Sequence, residues 1–218
     1  MIDHTVSSYQ NELDDLQQSL VHMSKFFLDL LNIQDEAMKN FGKDYIKKST
    51  DIDMKINQCD EHIESLATTI LATRQPLAID LRFVLSSIKI AVILERMGDL
   101  SKNIIKRSAL VKTGIISQHQ NDIYEMNATL ISMMKKICSC LKNWHEKNSL
   151  DVIDLDSKID SLYSLLMNKI SDSKIEERHT MSDCIQIVMA SKNIERVGDY
   201  IVKLAKILFY INTGNRIL

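Results

Sequence analysis

The sequence contains few residues that interrupt helices. Only one proline and five glycines occur among its 218 residues, and aromatic residues make up 6%. Proline and glycine are the least favourable residues in a helix interior, so their scarcity argues against frequent breaks. With 45% hydrophobic residues, the chain can still bury a stable core. We therefore expect a soluble, all-α protein.

Long apolar runs and a strong excess of one charge are also missing. No run of roughly 18 apolar residues is present, which argues against a membrane-spanning helix. The 27 Lys and Arg residues nearly balance 29 Asp and Glu, and the net charge of -2 provides no general attraction for nucleic acid. The start, Met1-Ile2-Asp3-His4, lacks the charged-then-apolar order of a secretory signal. We expect a cytoplasmic protein that binds no nucleic acid.

The four cysteines lack the spacing of a metal or redox motif. No Cys-x-x-Cys occurs, and Cys138 and Cys140 should point in different directions because they lie two residues apart on a helix. We expect reduced thiols with a mostly structural role.

Apolar residues recur at helical spacing in six segments, three in each half of the chain. The segments span residues 13–27, 52–70, 81–104, 123–137, 159–170 and 185–208. Proline is common in the first turn of a helix, so Pro76 should open the third one. Breaks are predicted at Gly42, Arg74-Gln75-Pro76, Thr113-Gly114, Asn148-Ser149 and residues 171–180.

A seven-residue signature occurs twice, one hundred residues apart. The stretch "LERMGDL" at 94–100 is nearly repeated as "IERVGDY" at 194–200, and the match continues to the Thr-Gly pairs at 113–114 and 213–214. A duplicated three-helix unit is the simplest explanation. The repeat predicts two tandem three-helix bundles, one over 1–114 and one over 115–218.

Each copy of the signature places two carboxylates on one helix face. Residues four apart are separated by about 40° around a helix, so Glu95 lies beside Asp99, and Glu195 beside Asp199. Like charges in this arrangement repel by a few tenths of a kcal/mol, and a glycine within a helix costs roughly 1 kcal/mol relative to alanine. A bound cation would turn the repulsion into attraction, and the glycine would allow a close approach.

The second helix of each half carries matching acidic residues. The later half has Asp156-x-x-x-Asp160, and the earlier half has Asp53-x-x-x-Asn57 followed by Asp60. If the second and third helices pack antiparallel, the stripes meet. Oxygen ligands suit Mg²⁺, Mn²⁺, Ca²⁺ or ferric iron better than zinc. The predicted ligands are Asp53, Asn57, Asp60, Glu95, Asp99, Asp156, Asp160, Glu195 and Asp199.

These motifs together resemble the PhoU family. The resemblance rests on "DMKIN" with Asp60 and Glu64, "RQPLAIDLR" at 74–82, "LERMGDL", "DSKIDSLY" at 156–163 and "IERVGDY", and it covers about residue 10 to Gly214. The resemblance implies two three-helix bundles, usually in a homodimer, and multinuclear iron or other metal clusters on the acidic motifs.

The resemblance also implies a function. Members of the family are negative regulators of phosphate uptake and of the phosphate-starvation response, and they are not regarded as enzymes. The implied role is that of an adaptor between the ATPase subunit of the high-affinity phosphate transporter and a phosphate-sensing membrane histidine kinase. The protein would then be peripheral to membrane complexes.

Two departures make the halves unequal. Asn57 contributes an oxygen without a charge, so the first-half site should bind cations less tightly than the second. The "RQP…DLR" segment has no copy in the later half, where "EERHTMSD" stands. It predicts either a partner contact specific to the first half or simply a helix start at Pro76.

Two other functions compete with the metal-bearing regulator. A carboxylate-bridged metal enzyme or an iron-handling protein is disfavoured, because the only Glu-x-x-His pair, Glu176 and His179, falls in a predicted loop and no phosphate-binding loop occurs. A metal-independent helical adaptor would instead dock its acidic faces on basic partner surfaces. Removal of metal by a chelator separates this alternative from the regulator that holds metal.

Overall fold

A computed structural model of the chain consists of six helices. It describes residues 2–40, 44–111, 116–143, 146–172 and 178–217, and the side chains within 8–40, 44–111, 121–143, 151–172 and 181–217. Gly42, Thr113, Gly114, Glu176 and the side chain of His179 lie outside these ranges, as does the predicted boundary between residues 114 and 115. The helices are α1 (Ile2–Asn40), α2 (Asp44–Arg74), α3 (Ala78–Ser108), α4 (Ile116–Asn143), α5 (Glu146–Ser171) and α6 (Arg178–Thr213).

The helices form two three-helix bundles, as the repeat predicts. Helices α1, α2 and α3 pack against one another, and so do α4, α5 and α6. The bundles adjoin through α3 against α6 and α1 against α4. Apolar side chains from all six helices form one continuous core, which includes Leu16, Phe27, Ile63, Leu94 and Ile194. Amphipathic helices of this length obtain most of their stability from such packing.

Two of the predicted helix boundaries were wrong by a few residues. Asn148 and Ser149, predicted as a break, lie within α5. Both residue types are frequent at the start of a helix, and they lie close to the start of α5 at Glu146. Similarly, α6 begins at Arg178 and includes the last part of the break predicted over 171–180.

Proline does not open the third helix. Pro76 lies two residues before α3, and the extended Leu77 occupies the N-cap position. Gln75 and Ala78 on either side have φ angles of 49° and 47°. The chain therefore reverses direction between α2 and α3 with positive φ angles at two non-glycine residues. This turn, and not Pro76, sets the start of α3.

The "RQP…DLR" segment makes contacts within the chain. Arg74 forms a bidentate ion pair with Glu12 of α1, in which Nε lies 2.9 Å from Oε2 and Nη2 contacts Oε1. The Tyr9 hydroxyl donates a hydrogen bond of 2.9 Å to Asp80. Arg82 donates one of 3.4 Å to the carbonyl oxygen of Ile211 near the end of α6. These contacts tie the segment to α1 and α6, which explains these charged residues without a partner protein.

Not every apolar position in the helical pattern is buried. Leu81, Leu85 and Val92 form an apolar stripe along α3 and are 37%, 45% and 39% exposed. A corresponding stripe on α6 contains Met181, Ile185 and Met189. No helix among the described residues is long and apolar enough to span a membrane. All four cysteines are free thiols, as predicted.

Candidate functional site

The packing of α2 against α3, and of α5 against α6, brings the predicted acidic stripes together. The first-half cluster is defined as Asp53, Asp60, Glu95 and Asp99 together with Lys102. The second-half cluster is defined as Asp156, Asp160, Glu195 and Asp199. Because both clusters arise from the same repeat, their differences can be compared position by position.

Lys102 lies within the first-half cluster. Its Nζ donates hydrogen bonds to Asp53 Oδ2 at 2.6 Å and contacts Asp99 Oδ1 at 2.9 Å. Burial opposes the charge of Lys102, but the hydrogen bonds to Asp53 and Asp99 outweigh it, and the pKa of the ammonium is raised. An internal cation therefore bridges a carboxylate of α2 and one of α3.

The other acidic residues of the first half interact less directly with Lys102. Burial, followed by repulsion from Asp99, Asp60 and Asp53, raises the pKa of Glu95. Burial and the neighbouring Glu64 and Glu61 likewise raise the pKa of Asp60. Asn57, which was predicted as a ligand, is exposed one turn after the buried Asp53.

The second-half cluster contains four carboxylates and no lysine at the position of Lys102. Burial and repulsion from Asp160, Asp199 and Glu195 raise the pKa of Asp156 from 3.8 to about 6. The pKa of Asp199 is raised by burial and by Glu195, although Lys203 and Lys192 partly oppose this. The cluster thus holds negative charge that its own side chains neutralise only in part.

Glu195 carries the clearest sign of an unmet interaction. Its Oε1 accepts a hydrogen bond of 2.7 Å from Lys192, whose ammonium also lies 5.3 Å from the centre of the Tyr163 ring. Its Oε2 is buried and has no hydrogen-bond partner among the described residues. A buried carboxylate oxygen without a donor is costly, and a cation or a water molecule would satisfy it.

The neighbouring helix comes closer to Gly198 than to Gly98. A Cβ atom on Gly198 would lie 2.7 Å from Asp156 Oδ1 and 3.2 Å from Ile159 Cδ1. A Cβ atom on Gly98 would lie 3.6 Å from Asp53 Oδ1 and 3.5 Å from Ile56 Cδ1, which is ordinary contact. Of these two positions, an added Cβ would therefore crowd its neighbours only at Gly198, where the end of the Asp156 side chain rests against the α6 backbone and would have to move.

The second half fits a hard cation better than the first. Its all-oxygen donors and the unpartnered Oε2 of Glu195 suit such an ion. In the first half, Lys102 already supplies a positive charge. Nowhere in the described ranges are three His, Cys, Asp or Glu side chains grouped as a ready metal site, so the carboxylates would have to close around an ion. A metal role for the nine residues stays a prediction.

Sequence reasoning missed Lys102. The signal was available, because Lys102 follows Asp99 by three residues, whereas the equivalent position of the other repeat holds Val202. A lysine at that spacing is normally a surface partner within its own helix. Its bond across to α2 depends on how the helices pack.

Comparison with known proteins places this architecture in one family. A model described as the PhoU domain matches residues 20–108 and, a second time, residues 123–208. A phosphate-specific transport system accessory protein PhoU homolog of Zymomonas mobilis is 29% identical over 216 residues, covering 99% of this chain and 91% of that protein. A homolog of the same description from Rhizobium meliloti is 26% identical over 212 residues, covering 97% of this chain and 90% of that protein.

Solved structures support the same fold. The phosphate transport system regulatory protein PhoU from Streptococcus pneumoniae superimposes with a TM-score of 0.85 at 24% identity, covering 96% of this chain and 99% of that one. PhoU from Pseudomonas aeruginosa gives a TM-score of 0.86 at 23% identity, covering 95% and 100%. Since the domain model matches most of the chain in two consecutive segments, the protein belongs to the PhoU family.

Proposed function

We propose that this protein is an accessory regulator of phosphate transport that restrains phosphate uptake and phosphate-starvation signalling. The observation that carries the proposal is the match of the PhoU domain to both repeats, with the Glu-x-x-x-Asp motif present in each. Relatives that align over nearly the whole chain are named as accessory proteins of a phosphate-specific transport system. In this role the protein acts as an adaptor between the transporter ATPase and a sensor histidine kinase.

The second-half cluster is the proposed cation-binding part of the regulator. Asp156, Asp160, Glu195 and Asp199 would supply oxygen ligands to iron, Mn²⁺, Mg²⁺ or Ca²⁺. A bound cation would neutralise the repulsion around Asp156 and hold α5 against α6. The metal-independent adaptor remains the alternative, in which the same carboxylates bind basic side chains of a partner.

The proposed role is regulatory and not enzymatic. The relatives carry regulatory or accessory names, and the sequence shows no phosphate-binding glycine loop or activated nucleophile near the acidic clusters. Steady turnover of a generic phosphate ester that is lost in Asp199→Asn would contradict this assignment.

The regulatory role predicts complementation. In a bacterium that lacks its own PhoU, this protein should restore repression of a phosphate-starvation reporter in phosphate-rich medium. The Asp156→Asn/Asp199→Asn variant should lose most of that repression if the second-half cluster is needed, whereas Asp154→Asn, an exposed acidic change on α5, should behave like the parent. The measurement is reporter output at equal protein levels.

Failure to complement in a foreign host can arise from mismatched partner proteins as well as from a wrong functional assignment. The same reporter should therefore be measured in the native organism after deletion of this gene. Normal repression in that deletion strain would contradict the proposed role. An unchanged phenotype of the double aspartate variant would instead favour an adaptor that works without the cluster.

We also propose a homodimer that buries the apolar stripes of α3 and α6. The exposed side chains of Leu85 and Ile185, at 45% and 48%, are the largest departures from burial within the predicted helical pattern of these helices. The Leu85→Glu/Ile185→Glu variant should elute as a monomer, because two charges would have to be desolvated at the interface. Light scattering after gel filtration measures this.

Leu165 provides the matched control for the dimer. It is 46% exposed on α5, outside both apolar stripes, so Leu165→Glu should leave the oligomeric state unchanged. A monomeric parent, or a dimer that survives the double substitution, would contradict the proposed interface.

A further inference from the structure

We infer that Lys102 takes the place of a bound cation in the first-half cluster, so that each chain has one cation site, in the second half, instead of two. This inference rests on the proposed cation binding by the acidic motifs. It concerns the number of sites and the residue that decides it, and both can be measured without any signalling partner.

The position of the ammonium carries the inference. Nζ of Lys102 lies 2.6 Å from an oxygen of Asp53 on α2 and 2.9 Å from an oxygen of Asp99 on α3. A bridging cation would hold the same two helices through the same two carboxylates. The Asp53 side chain is only 9% exposed and that of Lys102 is 19% exposed, so this contact is far more shielded than an ordinary surface ion pair.

The charges of the two halves differ accordingly. The first-half cluster has four carboxylates, Asp53, Asp60, Glu95 and Asp99, plus the ammonium of Lys102, which gives a formal charge of -3. The second half has four carboxylates and Val202, which gives -4. Within the described part of the chain, Lys192 forms an ion pair only with Glu195 Oε1 and leaves Oε2 without a hydrogen-bond partner, so it does not substitute for Lys102.

The positions of the α2 and α5 carboxylates agree with this difference. Asp53 Oδ1 stands 3.6 Å from the Cβ position of Gly98, whereas Asp156 Oδ1 stands 2.7 Å from that of Gly198. In the first half, Asp53 accepts a hydrogen bond from the ammonium of Lys102 on α3. In the second half, Asp156 accepts no hydrogen bond from a lysine among the described residues and rests directly over the glycine.

Exchange of residues between the repeats tests the inference. Metal-free protein is equilibrated with excess Mn²⁺, passed through a desalting column, and its bound manganese is measured by mass spectrometry. The Lys102→Val variant, which copies the second half, should retain about twice as much manganese as the parent, because a second oxygen site becomes available. The reverse variant, Val202→Lys, should retain close to none, because the ammonium then occupies the remaining site.

Further variants locate the sites. Manganese bound by the parent should be lost in Asp199→Asn and retained in Asp99→Asn. Lys39→Val removes the exposed ion pair of α1 with Asp35, and it should leave bound manganese unchanged. If Lys102→Val loses helical structure by circular dichroism, Lys102→Met removes the same charge with a side chain of similar length.

The outcomes are distinct. Equal manganese in the parent and in a folded Lys102 variant overturns the inference, and so does full retention by Val202→Lys. A parent that retains no manganese also overturns the inference, because the second-half site would then be absent. Failure of the proposed regulation would appear in the reporter assay, whereas failure of this inference appears only in metal content.

Discussion

Replacing Asp53 by asparagine should destabilise the protein by about 2 kcal/mol, whereas the same change at Asp156 should stabilise the metal-free protein by about 1 kcal/mol. Asp53 is the buried partner of Lys102, at 2.6 Å, and its loss leaves a shielded ammonium with only the more exposed Asp99. Breaking one side of a buried ion pair is strongly unfavourable. Because asparagine keeps one acceptor oxygen, the expected loss is smaller than for a full deletion.

At Asp156 the change in the free energy of unfolding should have the opposite sign, because the Asp156 carboxylate repels three other carboxylates. A pKa raised from 3.8 to about 6 would correspond to about 3 kcal/mol for a fully buried group. Solvent screening at this half-buried side chain lowers the expected gain to about 1 kcal/mol. Urea denaturation in the presence of EDTA measures both variants under the same conditions.

The Asp156 effect should depend on pH in a defined direction. A carboxyl group whose pKa is raised on folding binds protons more tightly in the folded protein, so its contribution to stability is lost as pH rises through about 6. Asp156→Asn avoids that loss. Its advantage over the parent should be present at pH 7 and absent near pH 4. A destabilised Asp156→Asn in EDTA, or equal effects of both substitutions, would contradict the unequal clusters.

Replacing the two in-helix glycines by alanine should also change stability by unequal amounts. Alanine is favoured over glycine in a helix by up to about 1 kcal/mol, and the Cβ position of Gly98 makes only ordinary contacts, so Gly98→Ala should stabilise the protein. At Gly198 the new Cβ would meet Asp156 Oδ1 at 2.7 Å and Ile159 Cδ1 at 3.2 Å. Overpacking costs about 1 to 3 kcal/mol, and the lower end applies here because the crowded atoms are the ends of flexible side chains, so the cost offsets the helix preference.

We therefore expect Gly198→Ala to be less stable than Gly98→Ala by about 1 kcal/mol in thermal or urea unfolding. If the second-half cluster binds Mn²⁺, Gly198→Ala should also weaken that binding about tenfold, since it displaces the carboxylate of Asp156. Gly98→Ala should leave manganese binding unchanged. Identical stability of the two variants would show that the close approach at Gly198 is not a constraint.

The helices and their duplication could be predicted because both are local properties of the chain. The apolar residues repeat at helical spacing, and residues four apart share a helix face regardless of the surroundings. The same geometry correctly placed Glu95 beside Asp99 and Glu195 beside Asp199. The family followed from the ordered set of these motifs, and the match of the domain model to both halves confirmed it.

The helix ends were predicted less well, for a physical reason. Asn148 and Ser149 suit both a loop and the first turn of a helix, so the residue types alone do not fix the boundary. At Pro76 the general preference for the first helical turn was overridden by a reversal that needs Leu77 extended and Gln75 left-handed.

The sequence by itself determined six helices, two equivalent halves and the carboxylates that share one face of each motif-bearing helix. Only the tertiary structure decided that the halves are chemically unequal. The contact of Lys102 with Asp53 joins residues 49 positions apart, and the approach of Asp156 to Gly198 joins α5 to α6. Such contacts depend on the register and spacing of packed helices, which the side-chain pattern of one helix does not contain.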